Sequence, residues 1–171
     1  MNTGELSCIL ERALAHSKCE FLGVFAADRI PKRITTFPAC FVINTDPSYK
    51  PGEHWVACYC ATPKTVEFFD SYGFPPQSYE YIQLPITPTV FNKVSFQSVR
   101  SAACGHYCIY YLCCRASSRS FSMIVQWLKR SNNSDRFVRL FTSRLVRKLQ
   151  VVRRCFRNCR GMQCCRVRGK K

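Results

Sequence analysis

A cysteine thiol is a weak nucleophile until an imidazole or a helix N-terminus stabilises its thiolate, which lowers its pKa from about 8.5 into the range of roughly 3.5–7.5. Cys104 is placed for both effects. It opens the apolar run Cys104-Gly105-His106-Tyr107-Cys108-Ile109-Tyr110-Tyr111-Leu112-Cys113-Cys114, which reads as a buried helix, and at a helix start the unpaired N–H groups and the macrodipole favour negative charge. Gly105 leaves room for backbone and substrate to approach. His54 is the candidate base: it follows the turn Pro51-Gly52-Glu53, begins a strand-like segment and precedes Trp55, whose ring can shield an imidazole from water. Asp70, at the end of the next strand-like run, can hold that imidazole in orientation. Gln97, seven residues before Cys104, can aim its amide N–H at an oxyanion developing beside the Cys104 backbone N–H. Nucleophile, base, orienter and oxyanion donor are the parts that covalent thiol catalysis needs.

These four residues need a scaffold, and the hydrophobic patterning supplies one. Leu6, Ile9, Leu10, Ala13 and Leu14 recur at helical spacing behind a Thr3 cap, predicting a helix over residues 4–17. Strand-like runs follow at residues 39–44, 54–60 and 66–70, each bounded by Pro, Gly, Asp or Asn. Five residues, Gly73, Pro75, Pro76, Pro85 and Pro88, make residues 73–89 an irregular excursion, and Val94 to Val99 is a candidate short strand. Beyond the buried helix, further helices are expected at about 120–130 and 135–150. The last of these is opened by Ser134 or Asp135, with Phe137, Phe141, Leu145 and Leu149 as its apolar face and Arg136, Arg139, Arg144, Arg147 and Lys148 around the remainder.

The chain of 171 residues, 47% hydrophobic and 13% aromatic, can bury one substantial core and is too short for two ordinary domains. No run of eighteen apolar residues exists, and the first five residues lack the pattern of a secretory signal, so neither a membrane span nor secretion by that route is expected. The thirteen cysteines are odd in number and irregular in spacing, which reads as reduced core thiols rather than a disulfide framework. Charge divides the chain. Residues 1–114 hold nine Lys/Arg and nine Asp/Glu, whereas residues 115–171 hold seventeen against the single Asp135. The second segment reads as a footprint for a polyanion, nucleic acid before membrane surface, or as a solvated basic face. One compact domain over 1–150 and a basic, cysteine-rich tail over 151–171 are expected. Cys155, Cys159, Cys164 and Cys165 in that tail allow a competing zinc-module reading, although their spacing is unlike a usual finger.

The ordered motifs His54-Trp55, Asp70-Ser71-Tyr72-Gly73 and Gln97-Ser98-Val99-Arg100-Ser101-Ala102-Ala103-Cys104-Gly105-His106-Tyr107-Cys108 closely resemble the adenovirus protease family, the adenain-like cysteine proteases, whose wider clan includes the SUMO-deconjugating proteases. Phe21 to Phe25 and Val42 to Thr45 support the match, which covers roughly residues 4–115. The resemblance implies an α+β cysteine protease fold, a central mixed sheet packed on a buried helix that carries the nucleophile. It assigns Cys104 as nucleophile, His54 as general base and acid, Asp70 as orienter and Gln97 as oxyanion donor; several adenoviral members have Glu where Asp70 stands. It further implies a monomeric viral endopeptidase of the host nucleus and virion, cutting precursor capsid and core proteins at Gly-containing sites. A deconjugase of a ubiquitin-like modifier is the alternative. Family members are stimulated by DNA and by a basic peptide ending in Arg-Arg-Cys-Phe, which Arg153-Arg154-Cys155-Phe156 resemble. That likeness implies an activating segment carried in cis, with no metal or small-molecule cofactor. The cysteine that pairs with the peptide in the adenoviral enzyme has no counterpart between Ile86 and Phe96.

Overall fold

The computed structural model describes residues 1–87 and 90–149. Helix α1 (Thr3–Leu14) is started one residue earlier than the patterning suggests: Asn2, not Thr3, accepts from the Glu5 N–H, and the Glu5 carboxylate accepts from the Asn2 N–H in return, a reciprocal capping box. Five strands follow, β1 (Glu20–Ala26), β2 (Ala39–Asn44), β3 (Trp55–Thr62), β4 (Thr65–Phe69) and β5 (Val90–Phe91), hydrogen-bonded in the order β1-β2-β3-β4-β5. The two outer pairs, β1–β2 and β4–β5, are parallel and the two inner pairs antiparallel, so the sheet is mixed. Three helices complete the fold: α2 (Cys104–Ala116), α3 (Phe121–Arg130) and α4 (Ser134–Lys148).

The sheet buries both faces, and its period of two sorts the side chains between them. Cys40, Val42, Ala57, Tyr59 and Phe69 face α1 and α2, where they pack with Leu6, Leu10, Tyr107, Ile109 and Tyr111. Phe41, Ile43, Val56, Cys58 and Phe68 face the other way, under Tyr79, Tyr81, Ile82 and Leu84 of the irregular excursion. The expected α+β arrangement, a mixed sheet packed on a buried helix beginning at Cys104, is thus present. Helix α2 is stapled to the sheet by Arg115, which donates through Nε to Glu67 Oε2 at 2.7 Å and through Nη2 to Oε1 at 3.0 Å. The Tyr111 hydroxyl donates to the same carboxylate at 2.6 Å, and the guanidinium lies 4.2 Å from the centre of the Tyr59 ring.

Three expectations need correction. β1 was not expected as a strand: Gly23, at φ +131°, interrupts its hydrophobic pattern and coincides with a register shift against β2. The short strand lies at Val90–Phe91, not between Val94 and Val99, whose backbone instead follows the buried Asn92 and the carbonyl of Ser71. On α4 the most buried residues are Val138 and Thr142, with Phe141, Leu145 and Val146 partly packed, whereas Phe137 is 40% exposed. Tyr110 of α2 meets both Phe137 and Phe141 edge-on at 5.1 Å between ring centres, so Phe137 forms the rim of the buried stripe.

The Arg115–Glu67 staple yields a stability prediction. Glu67→Ala leaves a half-buried guanidinium and the Tyr111 hydroxyl without their acceptor, and should cost about 3 kcal/mol in urea-unfolding experiments. Glu67→Gln, which keeps one acceptor oxygen, should cost less.

Candidate active site

His54 is the residue just before β3, its carbonyl accepting from the Thr45 N–H at 2.9 Å, so the end of β2 fixes its backbone. The preceding turn is equally constrained: Gly52 has φ +91°, and a Cβ there would lie 2.6 Å from the Asn44 amide nitrogen. Asp70 directly follows β4 and is fully buried. Its carboxylate receives four donors. Oδ1 accepts from His54 Nε2 at 2.6 Å and the Tyr72 N–H at 3.0 Å; Oδ2 accepts from the Phe74 N–H at 2.9 Å and the Tyr79 hydroxyl at 2.8 Å. Four donors match the lone-pair capacity of an ionised carboxylate. Asn92 fixes the Asp70 backbone, accepting its N–H at 3.0 Å and donating to its carbonyl at 2.5 Å.

His54, its Nε2 committed to Asp70, is also hydrogen-bonded to the Cys104 side chain. Burial disfavours the imidazolium, but the Asp70 carboxylate and Cys104 outweigh it and push the His54 pKa up to about 9. At Cys104 burial likewise opposes charge. The His54 hydrogen bond and charge, with the backbone N–H groups of Trp55 and Gly105, overcome it and hold the thiol below its ordinary value. The Gly105 N–H is one of the free donors in the first turn of α2, where Ala103 stands at the N-cap with no capping side chain, while the Trp55 N–H comes from the start of β3. The two shifts run in the directions that favour a thiolate beside an imidazolium, with a carboxylate against the imidazole.

Gln97 lies in the loop between β5 and α2, buried, with its amide completely engaged. Oε1 accepts from the Ser71 hydroxyl at 2.8 Å, while Nε2 donates to the Tyr72 hydroxyl at 3.0 Å and the Ser101 carbonyl at 2.5 Å. The Ser101 carbonyl, which can only accept, therefore decides which end of the amide faces Tyr72, and Ser71 donates to the other end. The Tyr72 ring in turn lies against the His54 imidazole, 4.7 Å between centres, so one tyrosine touches both the base and the amide. The crossing of these segments is tight: Gly73 has φ +78°, and a Cβ there would come within 2.6 Å of the Val94 backbone.

All four candidate residues from the sequence thus converge on one site. Two details differ from expectation. The rings against the imidazole are Tyr72 and Tyr79, at 4.7 and 6.3 Å, while Trp55 contributes its backbone N–H to the sulfur. Gly105 is buried with its open side against the Met1 side chain, which a Cβ would meet at 3.0 Å, so it leaves room for packing rather than for substrate. Sequence reasoning did not find Ser71, Tyr72, Tyr79 or Asn92 as parts of the site. Ser71 and Tyr72 are adjacent to Asp70, but nothing in local periodicity marks Tyr79 or Asn92. Among the described residues no group of three His, Cys, Asp or Glu is arranged to hold a metal. Arg153, Arg154, Cys155 and Phe156, and the four tail cysteines of the zinc reading, lie outside the described residues.

Comparison of the sequence with protein-family models and with curated proteins finds no match. Among solved structures, the central domain of the uncharacterized Lpg1148 protein from Legionella pneumophila is similar with a TM-score of 0.50 and 15% identity, over 88% of this chain and 98% of that one. A crystal structure of the ASFV pS273R protease is similar with a TM-score of 0.38 and 23% identity, over 62% of this chain and 43% of that one. The chain therefore spans less than half the length of the ASFV protein. The Legionella likeness shows a shared fold.

The coupled shifts at His54 and Cys104 set a pH dependence. Because the Cys104 pKa is lowered, its alkylation by iodoacetamide should rise with pH through a midpoint below the ordinary thiol value, and should be faster than at any other cysteine. In His54→Ala only burial and two N–H groups remain, so the midpoint should move upward. Mass-spectrometric mapping of labelled peptides across pH checks both.

Proposed function

We propose that the chain is a cysteine endopeptidase that forms a thioester at Cys104. The observation that carries this reading is the buried contact sequence Asp70–His54–Cys104, which puts a lowered thiol beside a raised imidazole. The Cys104 thiolate attacks the scissile carbonyl, and the proton on His54 passes to the leaving amine. Water then attacks the acyl-enzyme with His54 as base, releasing the carboxylate product and the free thiol. Asp70 holds the imidazole throughout. In the tetrahedral stages the substrate oxygen takes the place of the Tyr72 hydroxyl oxygen on Gln97 Nε2, with the helical N–H at Cys104 as second donor.

The motif resemblance directs the substrate reading to Gly-containing sites in precursor structural proteins of a DNA virus. A panel of Gly-containing peptides should be turned over by the wild type and not by Cys104→Ala. Turnover should follow a bell-shaped pH profile, rising as the thiol ionises below its ordinary value and falling as His54 loses its proton near 9. Gln97→Ala should raise the barrier by about 2.7–4 kcal/mol, the range for a single oxyanion donor. A panel cleaved equally well by Cys104→Ala would end the proposal.

The basic segment from residue 115 onward is read as a docking surface for DNA without sequence preference. On α4, Arg136, Arg139, Arg144, Arg147 and Lys148 are all exposed, and among the described residues none of them is in an ion pair. If about six Lys/Arg meet phosphates, log K should fall against log salt with a slope of roughly −5. A slope near zero in fluorescence anisotropy would leave α4 as a solvated basic face.

A further inference from the structure

Catalysis as described leaves Asp135 unused, although it is the single acidic residue among seventeen Lys/Arg in residues 115–171. It stands in the first turn of α4, where a carboxylate ordinarily serves its own helix. Here that duty falls to Asn133, whose side chain accepts from the Arg136 N–H at 2.9 Å. The Asp135 oxygens are directed elsewhere: Oδ1 accepts from the Tyr107 hydroxyl at 2.9 Å, and Oδ2 from the Ser98 backbone N–H at 3.3 Å. Its neighbour Ser134 donates through its hydroxyl to the Phe96 carbonyl at 2.8 Å, and that carbonyl lies 3.0 Å from the Tyr107 hydroxyl, whose single proton it shares with Asp135 Oδ1.

Phe96 and Ser98 flank Gln97. The carbonyl before Gln97 and the N–H after it are thus both held by the start of α4, across 38 and 37 residues of chain. From the opposite side the Ser71 carbonyl accepts the N–H groups of Phe96 at 2.8 Å and Gln97 at 3.1 Å. Apart from the Tyr107 hydroxyl of α2, the partners of Ser134 and Asp135 are backbone groups of the Gln97 loop, and neither residue hydrogen-bonds to Cys104, His54 or Asp70. From this geometry we infer that Ser134 and Asp135 are positioning residues, which set the Gln97 amide and thereby the oxyanion side of the site. The inference rests on the protease reading, with Gln97 as oxyanion donor. It separates the work of the molecule: the sheet and α2 prepare the nucleophile, and α4 aligns the group that stabilises the charge the nucleophile creates.

The test uses the full chain and exploits a difference between two reactions. Alkylation of Cys104 by iodoacetamide is a displacement at carbon that forms no oxyanion, whereas peptide turnover and binding of a peptide aldehyde both place negative oxygen beside Gln97. Asp135→Asn presents an N–H group where one carboxylate oxygen had accepted, and should lower kcat about tenfold with KM within about twofold. Affinity for the aldehyde should fall by a similar factor, with the rate and pH midpoint of alkylation unchanged. Ser134→Ala, which leaves the Tyr107 donor on the Phe96 carbonyl, should have a smaller effect, about threefold. Because both act through Gln97, their effects should vanish in a Gln97→Ala background. An active wild type whose Asp135→Asn variant keeps full kcat, loses alkylation in step with turnover, or is equally impaired in the Gln97→Ala background overturns this inference alone. A wild type that neither alkylates first at Cys104 nor cleaves any peptide overturns the protease reading, and the inference with it.

Discussion

A carboxylate with no exposed surface survives in a protein interior only if its charge is met on every side, and Asp70 is the point at which this constraint organises the molecule. Its four donors come from separate pieces of chain: the residue before β3, two backbone N–H groups of the turn after β4, and Tyr79 from the irregular excursion. The hydrogen bonds that neutralise Asp70 therefore also close the 70–74 turn, draw the excursion over the sheet and fix the imidazole. The geometry of the candidate site and a requirement of folding coincide at one side chain. The tyrosine-rich surroundings follow from the same need, since a phenol can deliver a donor into an apolar interior while its ring fills the space around it.

The cysteines show the opposite use of burial. Cys58 and Cys108 are pushed well above the ordinary thiol range by desolvation, and Cys60 and Cys113 are raised to about 12. They behave as small apolar side chains. Cys104 is only partly exposed, and burial acts on it too, but the imidazole and two directed N–H groups reverse the sign. Cys19 is also lowered, through its hydrogen bond with Cys40, yet it is 4% exposed and away from any base. A low thiol pKa and access to it meet at Cys104.

What could be read in the sequence was what depends on local pattern. The α2 run is apolar on nearly every side and has no breaker after Gly105, so its helix and the position of Cys104 at its start were legible. So were β2, β3 and β4, because each is bounded by turn residues, and with them the placement of His54 and Asp70 at strand ends. The partners of those residues were not. Asn92 reaches Asp70 across 22 positions and Asp135 reaches Ser98 across 37, and no periodicity encodes such a meeting. β5 is two residues long and exists only because β4 offers it an edge. The stripe on α4 is centred elsewhere for a related reason: several apolar residues could form a face, and packing against the rest of the fold buries Val138 and leaves Phe137 at the rim.

The two parallel pairings at the edges of the sheet bear on how the chain acquires its reactivity. Parallel neighbours cannot be joined by a tight turn, so β1 must wait for β2, and β5 for β4, before either edge is closed. The groups around Cys104 are dispersed in the same way, with the base 50 positions away and the carboxylate 34. A nascent or partly collapsed chain is consequently a string of ordinary thiols. The reactive setting of Cys104 comes into being only when the long-range architecture is complete, so under the proposed protease function the order of assembly would itself hold back hydrolysis until the polypeptide is native.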